Sequence, residues 1–459
     1  MNTRTLLLLL GLGLAWPSSS PANSTAADPK FWSQWRGPLA SGVAPLADPP
    51  LTWSETNNVK WKVKIPGFGT STPIIWENRV FILTAVPTGK KVEPKEPAAA
   101  APPPEPAGNP EGGQRRGRGG GFASEKPTES HRFVVLCLDR ATGKVLWEKT
   151  AREEVPHEGH HRDHGYASAS PVTDGKVLVA HFGSRGLYCY DLEGNLKWEK
   201  DLGDMRTRNG FGEGSSPALH GDTVVVLWDH EGEDFIVALD KNTGKELWRT
   251  PRDEPSGWCT PLIVEHAGRR QVIVNATGKV RSYDLANGRV LWECAGQTAN
   301  AIPSAVAAEG VAYVTSGFRG SALQAIKLDG KGDLTGTDAI LWSHNRNTPY
   351  VPSPLLFGDA LYFVKGNEAM LSCFEARTGK PVIDGERIEG IRGVYASPVA
   401  ARDRIYLLGR DGATVVLKKG SKLEVLATNK LDDKTDASIA LVGRELFIRG
   451  HQYLYCIAE

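Results

Sequence analysis

One phrase limits what this chain can fold into: an aspartate, a Thr-Gly or Asn-Gly turn, and a tryptophan eight positions after the aspartate. It reads LCLDRATGKVLW at 136–147, VALDKNTGKELW at 237–248 and RSYDLANGRVLW at 281–292. A copy with a shorter turn, YCYDLEGNLKW, spans 188–198, and a decayed one, SCFEARTGKPVI, spans 372–383. A second phrase accompanies it: a small residue beside proline, an apolar run, a polar turn and another apolar run. Its eight copies begin at Thr72-Pro73, Ser170-Pro171, Ser216-Pro217, Thr260-Pro261, Pro303-Ser304, Ser353-Pro354, Ser397-Pro398 and Ala437-Ser438. The spacing between equivalent positions averages about 45 residues, the length of one four-stranded propeller blade.

The unit SSPALHGDTVVVLWDHEGEDFIVALDKNTGKELW divides into strand A near 217–219, B near 223–228, C near 235–239 and D near 246–249. The fold expected is therefore all-β, an eight-bladed β-propeller of four-stranded antiparallel blades over 59–459. The last unit, HQYLYCIAE, stops at strand C. An orphan strand in NVKWKVKIPGFGTSTP carries Trp61 at the strand-D position. Residues 59–64 are expected to complete the C-terminal blade and close the ring, because an open ring exposes unpaired strand edges. Within the phrase, Asp240 and Thr243 cap the turn, Gly244 supplies the permissive backbone and Trp248 packs near the next blade.

With 40% hydrophobic residues, 23% charged residues and a net charge of +1, the chain has the composition of a soluble globular protein, and nucleic acid is not an implied partner. MNTRTLLLLLGLGLAWPSSSPANSTAAD has an early Arg4, an apolar run from Leu6 to Trp16 and then small residues. Residues 1–27 read as a secretory signal peptide, since the run is too short to span a bilayer. The expected location is periplasmic or secreted. No cysteine near the cleavage point suggests a lipid anchor, and no later stretch reads as transmembrane. Cys137, Cys189, Cys373 and Cys456 share one position of the repeat with Ala238 and Ser282. Such a position calls for a small buried side chain, so these read as free core thiols; a bridge involving Cys259 and Cys294 stays open.

The pattern resembles the pyrroloquinoline quinone (PQQ)-like β-propeller repeat family over nearly all of 59–459, and WSQWRGP, within a lead-in at 28–58, resembles the lead-in of exported members. Relatives include quinoprotein alcohol dehydrogenases and the propeller lipoprotein of outer-membrane protein assembly. The resemblance implies the fold; function has to come from the site. Residues 88–130, rich in Pro, Ala, Gly and charge, read as a disordered insertion in blade one. Its GQRRGRGGG stretch reads as a solvated tether, with an anionic polymer as the other reading.

In a propeller the A–B and C–D turns share one face, while B–C loops and D–A crossovers share the other. The first set is short here and the second is long, which places function on the second face. There VPHEGHHRDHGYAS carries His157, His160, His161 and His164, which can be metal ligands, a polar wall of the funnel or solvated loop. The same loop supplies Tyr166. Arg208, Asn209, Glu213, Trp258, Asn300, Tyr350, Arg392 and Tyr395 come from later crossovers and converge on the same mouth. Arginine, amide and aromatic groups together suit an anionic or sugar-like ligand or a peptide segment.

The resembling dehydrogenases hold PQQ between an aromatic floor and an adjacent-cysteine disulfide, beside calcium and a catalytic aspartate. This chain has no adjacent cysteine pair, and no residue matches those calcium or aspartate motifs. LDGKGDLTGTD (328–338) lacks the acidic spacing of a calcium loop and reads as a long C–D turn in blade five. The reading is an exported, monomeric, non-catalytic binding or scaffold module for an envelope protein or small-molecule ligand, with no cofactor expected. The alternatives are a PQQ- and calcium-dependent dehydrogenase, or a metal-dependent enzyme using the 157–164 loop.

Overall fold

The computed structural model describes residues 28–91 and 124–459. Residues 1–27, expected to be a signal peptide, lie outside the described residues, as does most of the 88–130 insertion. The ends of that insertion are strand: blade-one strand B runs Arg79–Lys91 and strand C runs Glu129–Asp139. Alternation continues there because Thr88 and Glu129 hold the hairpin, Thr88 donating to Ser130 O and Gly89 N–H to Glu129.

Eight antiparallel sheets surround an axis. In blade three the strands are Ala218–His220, Thr223–Trp228, Phe235–Asp240 and Glu246–Pro251, hydrogen-bonded in that order. In blade eight Val59–Lys64 pairs antiparallel with Tyr453–Ala458, with Trp61 opposite Cys456, so the two ends of the chain share one sheet. Blade four gains a fifth strand: Gly332–Asp333, inside the long C–D connection of blade five, pairs parallel with Trp292 and Glu293.

The repeated phrase joins neighbouring blades. Asp240 Oδ1 accepts from Thr243 N–H (2.9 Å) and from its hydroxyl (2.8 Å), and Gly244 turns at φ 70°. A Cβ on Gly244 would lie 2.7 Å from the Trp198 ring of the preceding blade, so glycine is needed for space as well as for φ. Each indole donates to the turn of the next blade: Trp61 to Arg140 O, Trp147 to Leu192 O, Trp198 to Lys241 O, Trp248 to Leu285 O and Trp342 to Ala376 O, at 2.7–3.0 Å. Trp292 faces the irregular blade-five turn and reaches it through Gln271, whose amide donates to Leu328 O. All six cysteines are free and buried, including Cys259 and Cys294, and burial pushes Cys137 and Cys189 up to about 12.

Around the axis the small residues at the head of the A strands form a second chain of contacts. Backbone N–H groups donate to the next hydroxyl in sequence: Thr72 to Ser170, Ser170 to Ser216, Ser216 to Thr260, Thr260 to Ser304, Ser304 to Ser353, Ser353 to Ser397 and Ser397 to Ser438. The Thr72 hydroxyl itself is buried without a partner. At that seam Arg449 spans blades eight and one instead, donating to Ser71 O, Ser71 Oγ and Leu83 O.

The lead-in fills the axial channel. Trp32 pairs antiparallel with Ile75 of blade one, and Val43 pairs parallel with Ala400 of blade seven, so the chain enters from the A–B face, turns and returns. Trp32 is fully buried, and Gly37, at φ 73°, lets the turn lie against its ring. Arg36 is buried without a carboxylate; it donates to Pro398 O, Pro354 O and Ser41 O, and burial lowers its pKa to about 9. Among the described residues, no helix is long and apolar enough to cross a membrane.

Candidate functional site

The B–C and D–A face holds a cavity of about 720 Å³ whose floor is Trp35, at the tip of the axial lead-in. The hydroxyls of Ser170, Ser216, Thr260, Ser397 and Ser438 ring the floor. The wall takes His161, His164, Arg208, Asn209, Trp258, Asn300, Tyr350 and Tyr395, eight of the residues expected from sequence. Arg392 is not brought to this wall: it is exposed on its crossover beside buried Ile391. His160, Tyr166 and Glu213 also stay out of it. His160 and Tyr166 pack edge to face at 4.6 Å, and Tyr166 and Glu213 line a smaller cavity next to it.

Other wall residues come from the short B–C loops, which look like ordinary turns in the sequence: Phe318, Arg319, Asn367 and Arg410. Arg319 sits at φ 49°, a left-handed conformation uncommon for a non-glycine residue. Phe318 stacks on Tyr350 with centroids 5.0 Å apart, making an aromatic strip on one side. Trp258 is fixed by its indole N–H donating to Gly212 O at 2.8 Å.

Charge in the cavity is unevenly shared. Arg410 pairs with Asp163 at 3.0 Å and Asp436 at 2.6 Å and lies over the Tyr395 ring at 4.0 Å. Burial opposes ionisation of Asp163, but the Arg410 hydrogen bond and charge outweigh it and hold its carboxyl below the usual range. Asp436 also accepts from His451 at 2.9 Å. Both wall carboxylates are thus engaged, while no ion pair with Arg162, Arg208 or Arg319 occurs among the described residues. The Arg208 guanidinium makes only a 3.5 Å contact with Asn300 Oδ1.

The four histidines of the 157–164 loop do not form one ligand set. His160 Nδ1–H donates to His161 O, His161 Nδ1 accepts from Asp163 N–H, and His164 Nδ1 accepts from Gly165 N–H with the Ser168 hydroxyl at 2.7 Å. Burial first, then the neighbouring imidazoles, lowers His164 to about 4. The glycines and proline in the loop point the rings in different directions, as side chains on irregular backbone do. Only His157 joins a cluster with metal-ligand spacing, together with Glu158 and Glu213.

The donor set of the funnel does not match PQQ with calcium. Calcium takes six to eight oxygen ligands, several of them carboxylate, and both wall carboxylates here are held by Arg410. Cys259 is buried and has no adjacent cysteine.

Fold and site define a propeller binding or scaffold module of the PQQ-like repeat type. The family model "Outer membrane protein assembly factor BamB" matches residues 129–229 and 204–415, and the chain belongs to that family. It is similar to the outer membrane protein assembly factor BamB of Shewanella oneidensis, 23% identical over 304 residues, which cover 62% of this chain and 66% of that protein, just under two thirds. The crystal structure of BamB from Moraxella catarrhalis shares the fold at 15% identity with a TM-score of 0.51, covering 71% of this chain and 91% of that one. A europium-containing methanol dehydrogenase has a TM-score of 0.61 at 10% identity, covering 95% of this chain and all of that one. At such identities these structures speak for the fold alone.

Proposed function

We propose that this protein is an exported, monomeric, non-catalytic binding module whose funnel receives an acidic, aromatic-bearing segment of an envelope protein. The observation that carries the reading is the surplus of arginine over available carboxylate in the 720 Å³ cavity, beside an aromatic strip of Phe318 and Tyr350. Guanidinium groups bind carboxylates through paired N–H donors, and aromatic walls take the apolar parts of a peptide. Kinship with an outer membrane protein assembly factor supports a protein partner and a periplasmic location. The funnel's carboxylates, occupied by Arg410, argue against PQQ with calcium as a resident group.

A fluorescein-labelled Glu/Tyr peptide, titrated with the full chain and followed by anisotropy, tests this. Saturable binding that weakens with salt, exceeds that of a Lys/Tyr peptide, and falls about tenfold, or ~1.4 kcal/mol, in the double variant Arg208→Glu, Arg319→Glu supports the reading. Equal binding of both peptides, or no effect of the double variant, overturns it. Dye reduction with an alcohol after addition of PQQ and calcium would replace it with the dehydrogenase reading.

A further inference from the structure

Beside the funnel, a cavity of about 40 Å³ lies between the 157–169 loop, the B–C loop of blade two and the crossover into blade three. It is lined by His157, Glu158, His181, Arg185 and Glu213. The ligand atoms of His157, Glu158 and Glu213 lie within 4.8 Å of one another, and His157 Nε2 is 3.7 Å from Glu213 Oε1. That separation is close to the edge of a tetrahedral site with bonds near 2.0–2.1 Å, roughly 3.4 Å.

Each carboxylate is oriented by neutral donors. Glu213 accepts from Ser184 N–H at 2.7 Å and Ser184 Oγ at 2.5 Å; Glu158 accepts from Thr207 N–H at 3.0 Å and from the Thr207 hydroxyl. These are the outer contacts that fix ligand direction in metal sites. The two carboxylates sit near each other with no lysine or arginine between them, because Arg185 is committed to Glu154 and Asp204. The pair lacks a cation.

His181 gives an independent sign. It is 2% exposed, and its Nδ1 lies 3.2 Å from Ser215 O. A carbonyl only accepts, so Nδ1 carries the proton and Nε2 carries the lone pair. That Nε2 is buried with no partner, on a residue lining the same cavity. A buried imidazole lone pair without a donor is costly in apolar surroundings and expected of a ligand.

We propose that this cavity is a site for a borderline divalent transition ion, zinc above all, held by His157, Glu158 and Glu213, with the unpartnered His181 lining the same cavity. One imidazole and two carboxylates, with a position left for water, suit zinc better than calcium, which takes oxygen. The volume accommodates one ion with a water. Binding requires the His157 ring to give up the Nε2–H hydrogen bond it makes to Met205 O at 2.5 Å and turn Nε2 to the ion, the proton leaving to solvent. The ion ties blade one's crossover to blade two, adjacent to the funnel wall. This inference is independent of the peptide reading.

The test uses the full chain freed of metal with a chelator and dialysed against zinc. One equivalent of zinc measured by mass spectrometry and calorimetry, and visible d–d absorption when cobalt(II) replaces it, are the expected results. Glu213→Gln, with native circular dichroism, loses binding at least a hundredfold, and Ser184→Ala weakens it about ten- to a hundredfold. His160→Ala with His161→Ala, outside the set, binds as the unaltered chain does. No saturable zinc or cobalt binding, or a Glu213→Gln protein that binds as well as the parent, overturns the site. Loss in the His160/His161 variant with retention in Glu213→Gln assigns the metal to the outer loop and overturns it equally.

Discussion

Replacing Trp248 with alanine tests the physical core of the repeat. The indole is 9% exposed, sits on strand D of blade three, packs over Gly288 of blade four and donates to Leu285 O at 2.8 Å. A buried aromatic of this size removes ~150–250 Å² from water. At ~25 cal/mol per Å² that is about 4–6 kcal/mol, an upper bound because unfolded chains already bury part of it. Measured Phe and Trp to Ala changes cost ~3–5 kcal/mol, cavity included, and the Leu285 carbonyl loses a bond worth about 1 kcal/mol. Trp248→Ala should therefore lower stability by ~3–5 kcal/mol. Trp248→Phe, which keeps most of the ring and loses the N–H, should cost clearly less. Urea unfolding followed by tryptophan fluorescence and circular dichroism reads both, with the midpoint falling and the slope unchanged. A loss below ~1 kcal/mol for Trp248→Ala, or equal losses for the two variants, would show that the tryptophan does not bridge blades as described.

Two further predictions use the axis and the funnel. Ser353→Ala leaves the buried Ser304 N–H without its acceptor and should cost ~1–3 kcal/mol, whereas Thr72→Val removes a buried hydroxyl that has no partner and should be neutral or stabilising; paired urea titrations decide, and equal losses refute the hydroxyl ring. His164, lowered to about 4 by burial, stays neutral in the folded chain while the unfolded chain protonates near 6.5. Stability contributed by the neutral ring is thus full above pH ~6.5 and declines as pH falls towards 4, at up to ~1.4 kcal/mol per pH unit. His164→Gln should flatten that part of the curve by as much as one proton, and an unchanged slope refutes the assignment.

Much of the fold was legible because it is written in short-range chemistry. The Asp, Thr-Gly and Trp spacing marks a C–D turn, the Ser/Thr-Pro phrases mark strand A, and alternating burial within strands follows from period two. Trp61 places the closing strand by pattern alone, since a missing strand D at one end and a spare one at the other admit a single economical pairing. Part of the site was legible as well: eight expected residues line the funnel. Arg392 failed because a crossover residue can point outward as easily as inward. Arg410, Phe318 and Arg319 were missed because their B–C loops are short and look like turns. His181 was missed because, in a strand of LVAH, it reads as a core residue. The lead-in carried a signal, two tryptophans followed by a glycine in WSQWRGP, that marks close packing but not its place in the channel.

The sequence by itself determined the number of blades, their strand order and the closure, because each depends on contacts within about one repeat or on an unpaired edge that has to be covered. Only the tertiary structure decided what meets at the mouth. Arg410 joins Asp163 from a distant blade, Trp35 becomes the funnel floor, and His181 comes to line the same small cavity as His157, Glu158 and Glu213. Those meetings depend on side-chain direction and on which loops a rigid ring brings together, and neither is encoded in a local pattern.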